Sequence, residues 1–293
     1  MRILITGAKG MLGQDLEQVL RAKHKLILAD IDVSETSNPS FISMDVSDYV
    51  RCQEIITQSR PDIIINSAAC TQVDKCEEES ELAYRVNAMG PRNLAIISNQ
   101  LDIPILHLST DYVFDGRKKI GYLEDDLKNP LNIYGKSKSL GEGYVIQLTN
   151  KFYLVRTSWL FGANGNNFIK TMLRLGKIGQ RLTVVDDQIG SPTYSRDLAE
   201  AIALLIEKPA YGIYHITNSD STSWFGYAKY IFSLVGYQVD VKAVTSQQYK
   251  QPATRPSHSI LENRVWQLEG FAPLRSYREA VREYIGNIAE ESF

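Results

Sequence analysis

Short, uninterrupted runs of branched apolar residues recur along the first half of the chain. They fall at 3–5, 26–28, 63–65 and 105–108. An apolar run without polar interruption suits a strand buried on both faces, as in a parallel sheet. Between the runs lie longer stretches with helical periodicity, at 13–22, 50–59 and 79–100. This is the order of βαβ units, and it predicts a doubly wound parallel α/β sheet of Rossmann-like form. A further strand is expected at 152–155, after a helix that contains Tyr134.

The later chain is less regular. Helices are expected at 167–175, 198–206, 224–235 and 277–285, and strands at 182–185 and 212–216. No Gly-, Ser- or Pro-rich linker, low-complexity tract or internal repeat separates the two parts. The expected organisation is a main unit over 1–160 and a smaller C-terminal α/β lobe over 161–293, with some of its segments returning to the main sheet.

Composition narrows the function classes. A formal net charge of −2 over 293 residues offers no basic field for nucleic acid or anionic lipid. Cys52, Cys70 and Cys76 are odd in number and lack Cys-x-x-Cys spacing, so reduced, buried thiols in a cytoplasmic protein are expected. His24, His107, His215 and His258 are scattered, so no zinc site is expected. No segment approaches the ~18 apolar residues of a membrane span. The chain opens directly into a strand, without the pattern of a signal peptide.

The candidate chemistry begins with Gly7-x-x-Gly10-x-x-Gly13, where the first strand should turn into the first helix. Gly7 permits the tight turn, Gly10 lets backbone approach a pyrophosphate, and Gly13 lets the helix pack closely. With Met11 and Leu12 they form the loop and helix start whose free N–H groups attract phosphates. A nicotinamide dinucleotide, NADH or NADPH, is the expected cofactor of the 1–160 unit. The second strand ends at Asp30, placed to accept from the adenosine ribose or to be a solvated loop carboxylate. The first role favours NADH, whereas Lys9 and Arg51 can favour a phosphate. Asp45, followed by Val46, can meet the adenine amine; equally, Asp45 or Ser47 can cap the next helix. Ser67, Ala68 and Ala69 follow the strand at 63–65 and either leave room for a ligand or allow close helix packing.

Tyr134 and Lys138 are four apart and share one helical face. A free tyrosine, with a pKa near ~10, is a poor acid–base catalyst at neutral pH, and a nearby ammonium is expected to lower it. Thr110 ends the strand at 105–108, where open α/β sheets bind ligands; its hydroxyl can hold a carbonyl oxygen or form a turn. Together Thr110, Tyr134 and Lys138 form a candidate site for moving a hydride and a proton.

These features resemble the extended short-chain dehydrogenase/reductase superfamily. Further strings resemble the dTDP-4-dehydrorhamnose reductase family within it. They include Arg60-Pro-Asp-Ile-Ile-Ile-Asn66, Val73-Asp-Lys75, Ser109-Thr-Asp-Tyr-Val-Phe114, Arg156-Thr-Ser-Trp159, Gly165-Asn-Asn-Phe168, Asp187-Gln-Ile-Gly190 and Arg255-Pro256. The resemblance implies reduction of the 4-keto group of dTDP-4-dehydro-L-rhamnose by NADH or NADPH. Tyr134 would then be the general acid, Thr110 would hold the same oxygen, and Lys138 would hold the ribose. Asp111 and Trp159 would line the sugar pocket, and Asn167 and Arg255 would lie towards the diphosphate. From the residues alone, Trp159 is also a candidate core aromatic and Arg255 a candidate surface charge.

Some family members carry a magnesium-bridged dimer held by glutamates. Here Asp15 and Arg196 stand near those positions, and an arginine cannot ligate a cation, so a monomer or weak homodimer is expected. Two rival readings remain. A dehydratase would need Asp-Glu after the threonine, and Asp111-Tyr112 stands there, but an epimerase stays open. A non-catalytic subunit resembling the methionine adenosyltransferase beta subunit would share the fold without needing Thr110, Tyr134 or Lys138.

Overall fold

The computed structural model describes residues 1–33, 41–179 and 181–290. Its first half alternates strands and helices: β1 Arg2–Thr6, α1 Met11–Leu20, β2 Lys25–Asp30, β3 Phe41–Ser43, α2 Tyr49–Ser59 and β4 Ile63–Asn66. After these come α3 Val73–Glu78, α4 Ser80–Tyr84, a π turn Arg85–Met89, α5 Gly90–Gln100 and β5 Ile105–Thr110. A 3-10 turn, Asp111–Val113, precedes α6 Ile133–Leu148 and β6 Phe152–Thr157. The expected helix over 79–100 is thus continuous in path but carries a wide π turn at its centre. There Asn87 points inward, and its amide clamps the backbone N–H and C=O of Cys70 at 2.8 and 3.0 Å.

The second half begins with β7 Leu160–Phe161, α7 Phe168–Ile178, β8 Leu182–Val185, β9 Ile189–Gly190 and β10 Thr193–Tyr194. It continues with α8 Ser195–Leu205, β11 Gly212–His215, β12 Thr222–Ser223, α9 Trp224–Val235 and β13 Val241–Val244. The last helices are α10 Arg264–Leu268 and α11 Tyr277–Glu290.

Among the described residues the main sheet has the order β11-β6-β5-β4-β1-β2-β3, and every neighbouring pair is parallel. The strand order reverses between β1 and β4, which opens a crevice above their C-terminal ends. β11 comes from the later chain and pairs with β6 in the main sheet.

Each face of the sheet has its own core. On one side α1 and α8 press Leu12, Leu16, Leu198 and Ile202 against Ile3, Ile5 and Leu106. On the other, Cys52, Ile56, Leu94 and Val145 cover Leu4 and Ile64. Burying each such Leu or Ile stabilises by about 1.5–3 kcal/mol. This explains why the strands read as continuous apolar runs. A third core, with Phe161, Ile169, Tyr227, Ile231, Tyr277 and Tyr284, lies within the later chain. Trp159 and Trp224 pack against it and line the crevice. Of the three thiols, Cys52 and Cys76 are buried and Cys70 is half-buried, so the expectation of buried thiols holds for two of them. No helix among the described residues is long and apolar enough to cross a membrane.

Candidate active site

A cavity of about 850 Å³ runs along the crevice, at the large end of the about 300–1,000 Å³ usual for ligand sites. Its floor is the glycine loop. Gly7 has φ +68°, and a Cβ there would stand 2.7 Å from Ala68 N. A Cβ on Gly13 would stand 2.2 Å from Gly7 O. Gly10 is less confined, with its nearest neighbour, Gly7 O, at 3.1 Å, and it opens α1 without a side-chain cap. The first N–H groups of α1 therefore face the cavity beside Met11 and Leu12, which also line it. Side chains at Gly7 and Gly13 would collide with nearby backbone, and a bare loop at a helix start fits a dinucleotide pyrophosphate.

Asp30 lines the cavity, but its carboxylate is already engaged. Oδ2 accepts from Lys9 N at 2.8 Å and Oδ1 from Ile31 N at 2.8 Å. It ties the end of β2 to the glycine loop, which the offset in sequence does not reveal. Asp45 and Val46 also line the cavity. Neither Asp45 nor Ser47 caps α2. That cap is Asp48, which accepts from Arg51 N at 3.0 Å, while Asp45 accepts from Ser47 N and Oγ at 2.8 Å each. The physical reason is a one-turn Asx loop that delays the helix start. Ser67, Ala68 and Ala69 line the cavity above β4, with Ser67 Oγ donating to Thr6 O at 2.6 Å.

Thr110, Asp111, Tyr134 and Lys138 converge on the same cavity. Thr110 accepts from Tyr112 N at 3.2 Å and donates to Asp111 Oδ1 at 3.0 Å, so its hydroxyl both forms the turn and faces the site. Asn132 caps α6 by accepting from Gly135 N at 2.8 Å, which starts the helix just before Tyr134. Lys138 is buried, with Nζ donating to Leu108 O at 2.5 Å. Burial pulls its pKa down to about 8, and the Glu142 charge opposes that.

Tyr134 departs from expectation. Burial pushes its phenol up, the Thr110 hydroxyl opposes this, and Asp111, Cys76 and Cys70 reinforce it. The Lys138 ammonium, turned to the Leu108 carbonyl, is not one of the leading influences on it. Burial also pushes the Asp111 carboxyl up to about 6, against the hydroxyls of Ser259 and Thr110. Its Oδ2 is buried without a hydrogen-bond partner among the described residues.

Trp159 lines the cavity, half-buried, with φ +46°. Its ring is stacked on Trp224 at 3.5 Å between centroids and 5° between planes. Two other expected residues do not line the cavity. Asn167 caps α7, accepting from Lys170 N at 3.0 Å, and donates to Gly162 O at 2.8 Å. Arg255 forms a two-pronged ion pair with Asp74, at 3.0 and 2.8 Å. Asp15, near the position of a family metal ligand, is buried and accepts from Ser195 Oγ, and Arg196 pairs with Glu200 on the surface.

Sequence reasoning missed several cavity residues. Thr157 ends β6 opposite Thr110, and its Oγ1 is buried without a partner among the described residues. Tyr112 meets the Tyr134 ring edge-on at 5.6 Å. Ser109 and Trp224 complete the wall. Thr157 lies inside the Arg156-Thr-Ser-Trp159 string, and its place at a strand's end was a usable signal. Nothing local marks Trp224.

A parallel sheet with this glycine cradle at its switch point defines a Rossmann-like protein of the dinucleotide-binding class. The family described as RmlD substrate binding domain matches residues 1–290. The chain is 40% identical over 285 residues to the spore coat polysaccharide biosynthesis protein SpsK of Bacillus subtilis (strain 168), covering 97% of this chain and 96% of that one. It is 41% identical to a dTDP-4-dehydrorhamnose reductase of Aggregatibacter actinomycetemcomitans, covering 93% and 94%. A crystal structure of dTDP-4-dehydrorhamnose reductase from Bacillus anthracis str. Ames, in complex with NADP, superimposes with TM-score 0.92 at 41% identity, covering 98% and 99%. The chain therefore belongs to the dTDP-4-dehydrorhamnose reductase family, a family of NAD(P)H-dependent sugar-nucleotide reductases.

Proposed function

We propose that the protein reduces the 4-keto group of dTDP-4-dehydro-L-rhamnose to give dTDP-L-rhamnose. The observation that carries this reading is the convergence of Thr110, Tyr134 and Lys138 on one cavity with the glycine cradle. A bound NADH or NADPH supplies the hydride that goes to sugar C4. Tyr134 gives its proton to the ketone oxygen as that oxygen gains charge. A proton donor must hold its proton beforehand, and the burial that raises the Tyr134 pKa keeps it protonated at neutral pH. Thr110 would turn its hydroxyl proton from Asp111 Oδ1 to the same oxygen and orient it. Lys138, still largely charged at neutral pH, holds the ribose hydroxyls.

Gly7, Gly10, Gly13, Met11 and Leu12 are assigned to the pyrophosphate, and Asp45, Val46, Ser67, Ala68 and Ala69 to the adenosine half. Asp30 faces the adenosine ribose, but its two backbone hydrogen bonds soften its charge, so it does not bar a 2′-phosphate. Both cofactors are therefore assigned. Asp111 and Trp159 are assigned to the sugar. Arg255 would reach the diphosphate only by exchanging Asp74 for it. Asn167, as a helix cap, acts by holding the loop that ends at Asn166, which does line the cavity. The same site can serve another ketosugar nucleotide, since stereoisomers differ by only a few kcal/mol in such pockets.

The test is ketosugar-dependent loss of nicotinamide absorbance. dTDP-4-dehydro-6-deoxyglucose is supplied together with a 3,5-epimerase to generate the rhamnose-series ketone. Oxidation of either cofactor only when the epimerase is present supports the assignment. Turnover without the epimerase would redirect it to the gluco-series ketone. No turnover despite cofactor binding would sink the reductase reading and favour a binding subunit.

A further inference from the structure

One turn beyond Lys138 on α6 lies Glu142, whose carboxylate has no exposed surface. Spacings of four place Tyr134, Lys138 and Glu142 along one helical face. Three further segments converge on Glu142. From β6, Arg156 donates Nε to Oε1 at 2.9 Å and Nη2 to Oε2 at 2.8 Å. From β5, Ser109 Oγ donates to Oε1 at 2.5 Å. From the loop before α6, Lys128 Nζ stands 3.0 Å from Oε2.

The position of these contacts along β5 matters more than their number. Leu108 gives its carbonyl to Lys138, Ser109 anchors Glu142, and Thr110 faces Tyr134. Ser109 and Arg156 are in register, one step before the Thr110–Thr157 pair. Glu142 thus joins the helix to both strands directly beneath the reacting end. A buried ion pair is a weak device for stability alone, because desolvation offsets most of its attraction. Burial works to raise the Glu142 pKa, yet Arg156, Lys128 and Ser109 together hold it below its usual value, so it stays an anion.

We infer that Glu142 is a positioning residue: it fixes the Tyr134–Lys138 face of α6 against the ends of β5 and β6, and its carboxylate is the buried negative charge on the same helical face as the Lys138 ammonium. The inference rests on the reductase reading of this site. The other groups around this face do not replace Glu142. His107 of β5 and Arg156 of β6 are neutral-to-cationic, and the π turn offers only the Asn87 amide, at 3.1 Å from Ser137. Asp111 and Tyr112 of the 3-10 turn, and Cys70 and Cys76 before and on α3, lie towards Tyr134. Arg92 of α5 meets Tyr144 further along the helix, at 6.0 Å. Burial dominates the Lys138 pKa, and Glu142 is the charge that opposes it.

The test uses Glu142→Gln, which keeps shape and hydrogen bonding but removes the charge. Lysine side-chain NMR, with Lys138→Met for assignment, follows the titration of Lys138 without substrate. Wild-type Lys138 should titrate near 8. In Glu142→Gln it should fall by roughly one unit or more, and the alkaline limb of kcat should fall with it. Turnover at pH 8 should drop by about fivefold or more, as the charged fraction of Lys138 falls, and Glu142→Asp should restore much of it. If Glu142→Gln does not fold, Glu142→Met with Arg156→Met removes both partners; Arg156 is not among the groups that shift Lys138, so the same fall is expected. A folded variant of either kind whose Lys138 titrates as in wild type overturns the inference. Because the NMR arm needs no turnover, failure of the reductase reading is distinguishable from failure of this one.

Discussion

Thr110 and Thr157 lie opposite one another, in register, at the C-terminal ends of the adjacent parallel strands β5 and β6. Both line the cavity, but only Thr110 has its hydroxyl engaged by protein. Thr157 Oγ1 is buried and unpartnered among the described residues. A buried hydroxyl without a partner costs about 1–3 kcal/mol. Thr157→Val, close in shape, should therefore raise the thermal midpoint of the free protein. If ligand is what satisfies the hydroxyl, the same variant should raise KM several-fold. Calorimetry and steady-state kinetics on one preparation check both, and a lowered midpoint would count against the idea.

Tyr134→Phe removes the phenolic proton while keeping the ring that meets Tyr112. General acid catalysis contributes about 10²–10⁴-fold, so kcat should fall within that range. Dinucleotide affinity, measured by fluorescence titration, should change little. Retention of more than a tenth of the wild-type rate would exclude Tyr134 as the proton donor.

Asp111 gives a pH-dependent stability. Its folded pKa of about 6 lies above the model-peptide 3.8, so the folded state binds the proton more tightly than the unfolded one. The ionised form is thus a burden that is absent below the unfolded value, grows as pH rises from about 4 to about 6, and is complete above. Asp111→Asn should match wild type near pH 4 and be the more stable protein at pH 7. Chemical denaturation at the two pH values measures the difference. An equal stability gap at both would sink the assignment.

The glycine cradle predicts graded defects. Gly13→Ala sets a Cβ against the Gly7 carbonyl and must displace loop or helix backbone. Gly7→Ala adds a left-handed φ, worth about 1–2 kcal/mol, to its clash with Ala68. Gly10→Ala meets only one atom, at 3.1 Å, and should fold normally. Urea unfolding should rank the first two well below the third. All three should weaken dinucleotide binding, which titration of cofactor fluorescence would read.

Tyr134 and Lys138 share a face because four residues make about one helical turn, and that relation is local. The uninterrupted apolar runs at 3–5 and 63–65 likewise report burial on both faces of a sheet, whatever the neighbours are. The glycine positions report backbone that must come close to something. Such features are legible in the chain because a short segment determines them. So are the expected elements, apart from the π turn at 85–89 and ends shifted by a residue or more.

Relations between distant segments were decided only by the tertiary structure. Thr157 faces Thr110 because β5 and β6 pair in one register, and that register follows from packing on both faces of the sheet. Trp224 stacks on Trp159 because β9 and β12 pair just before α9. Arg255 is drawn to Asp74, 181 positions away, and Arg156 to Glu142, where burial turns ordinary charges into specific partners. The pKa of Tyr134 also belongs here. Spacing alone predicts that Lys138 lowers it, but desolvation by the folded surroundings outweighs a lysine turned to the Leu108 carbonyl. The chain's own pattern determined the buried strands, the glycine turn and the helical face, because each is set by neighbours in sequence. Only folding decided which charges are buried, which hydroxyls are left unpaired and which rings meet, because these depend on atoms that the chain brings together from far apart.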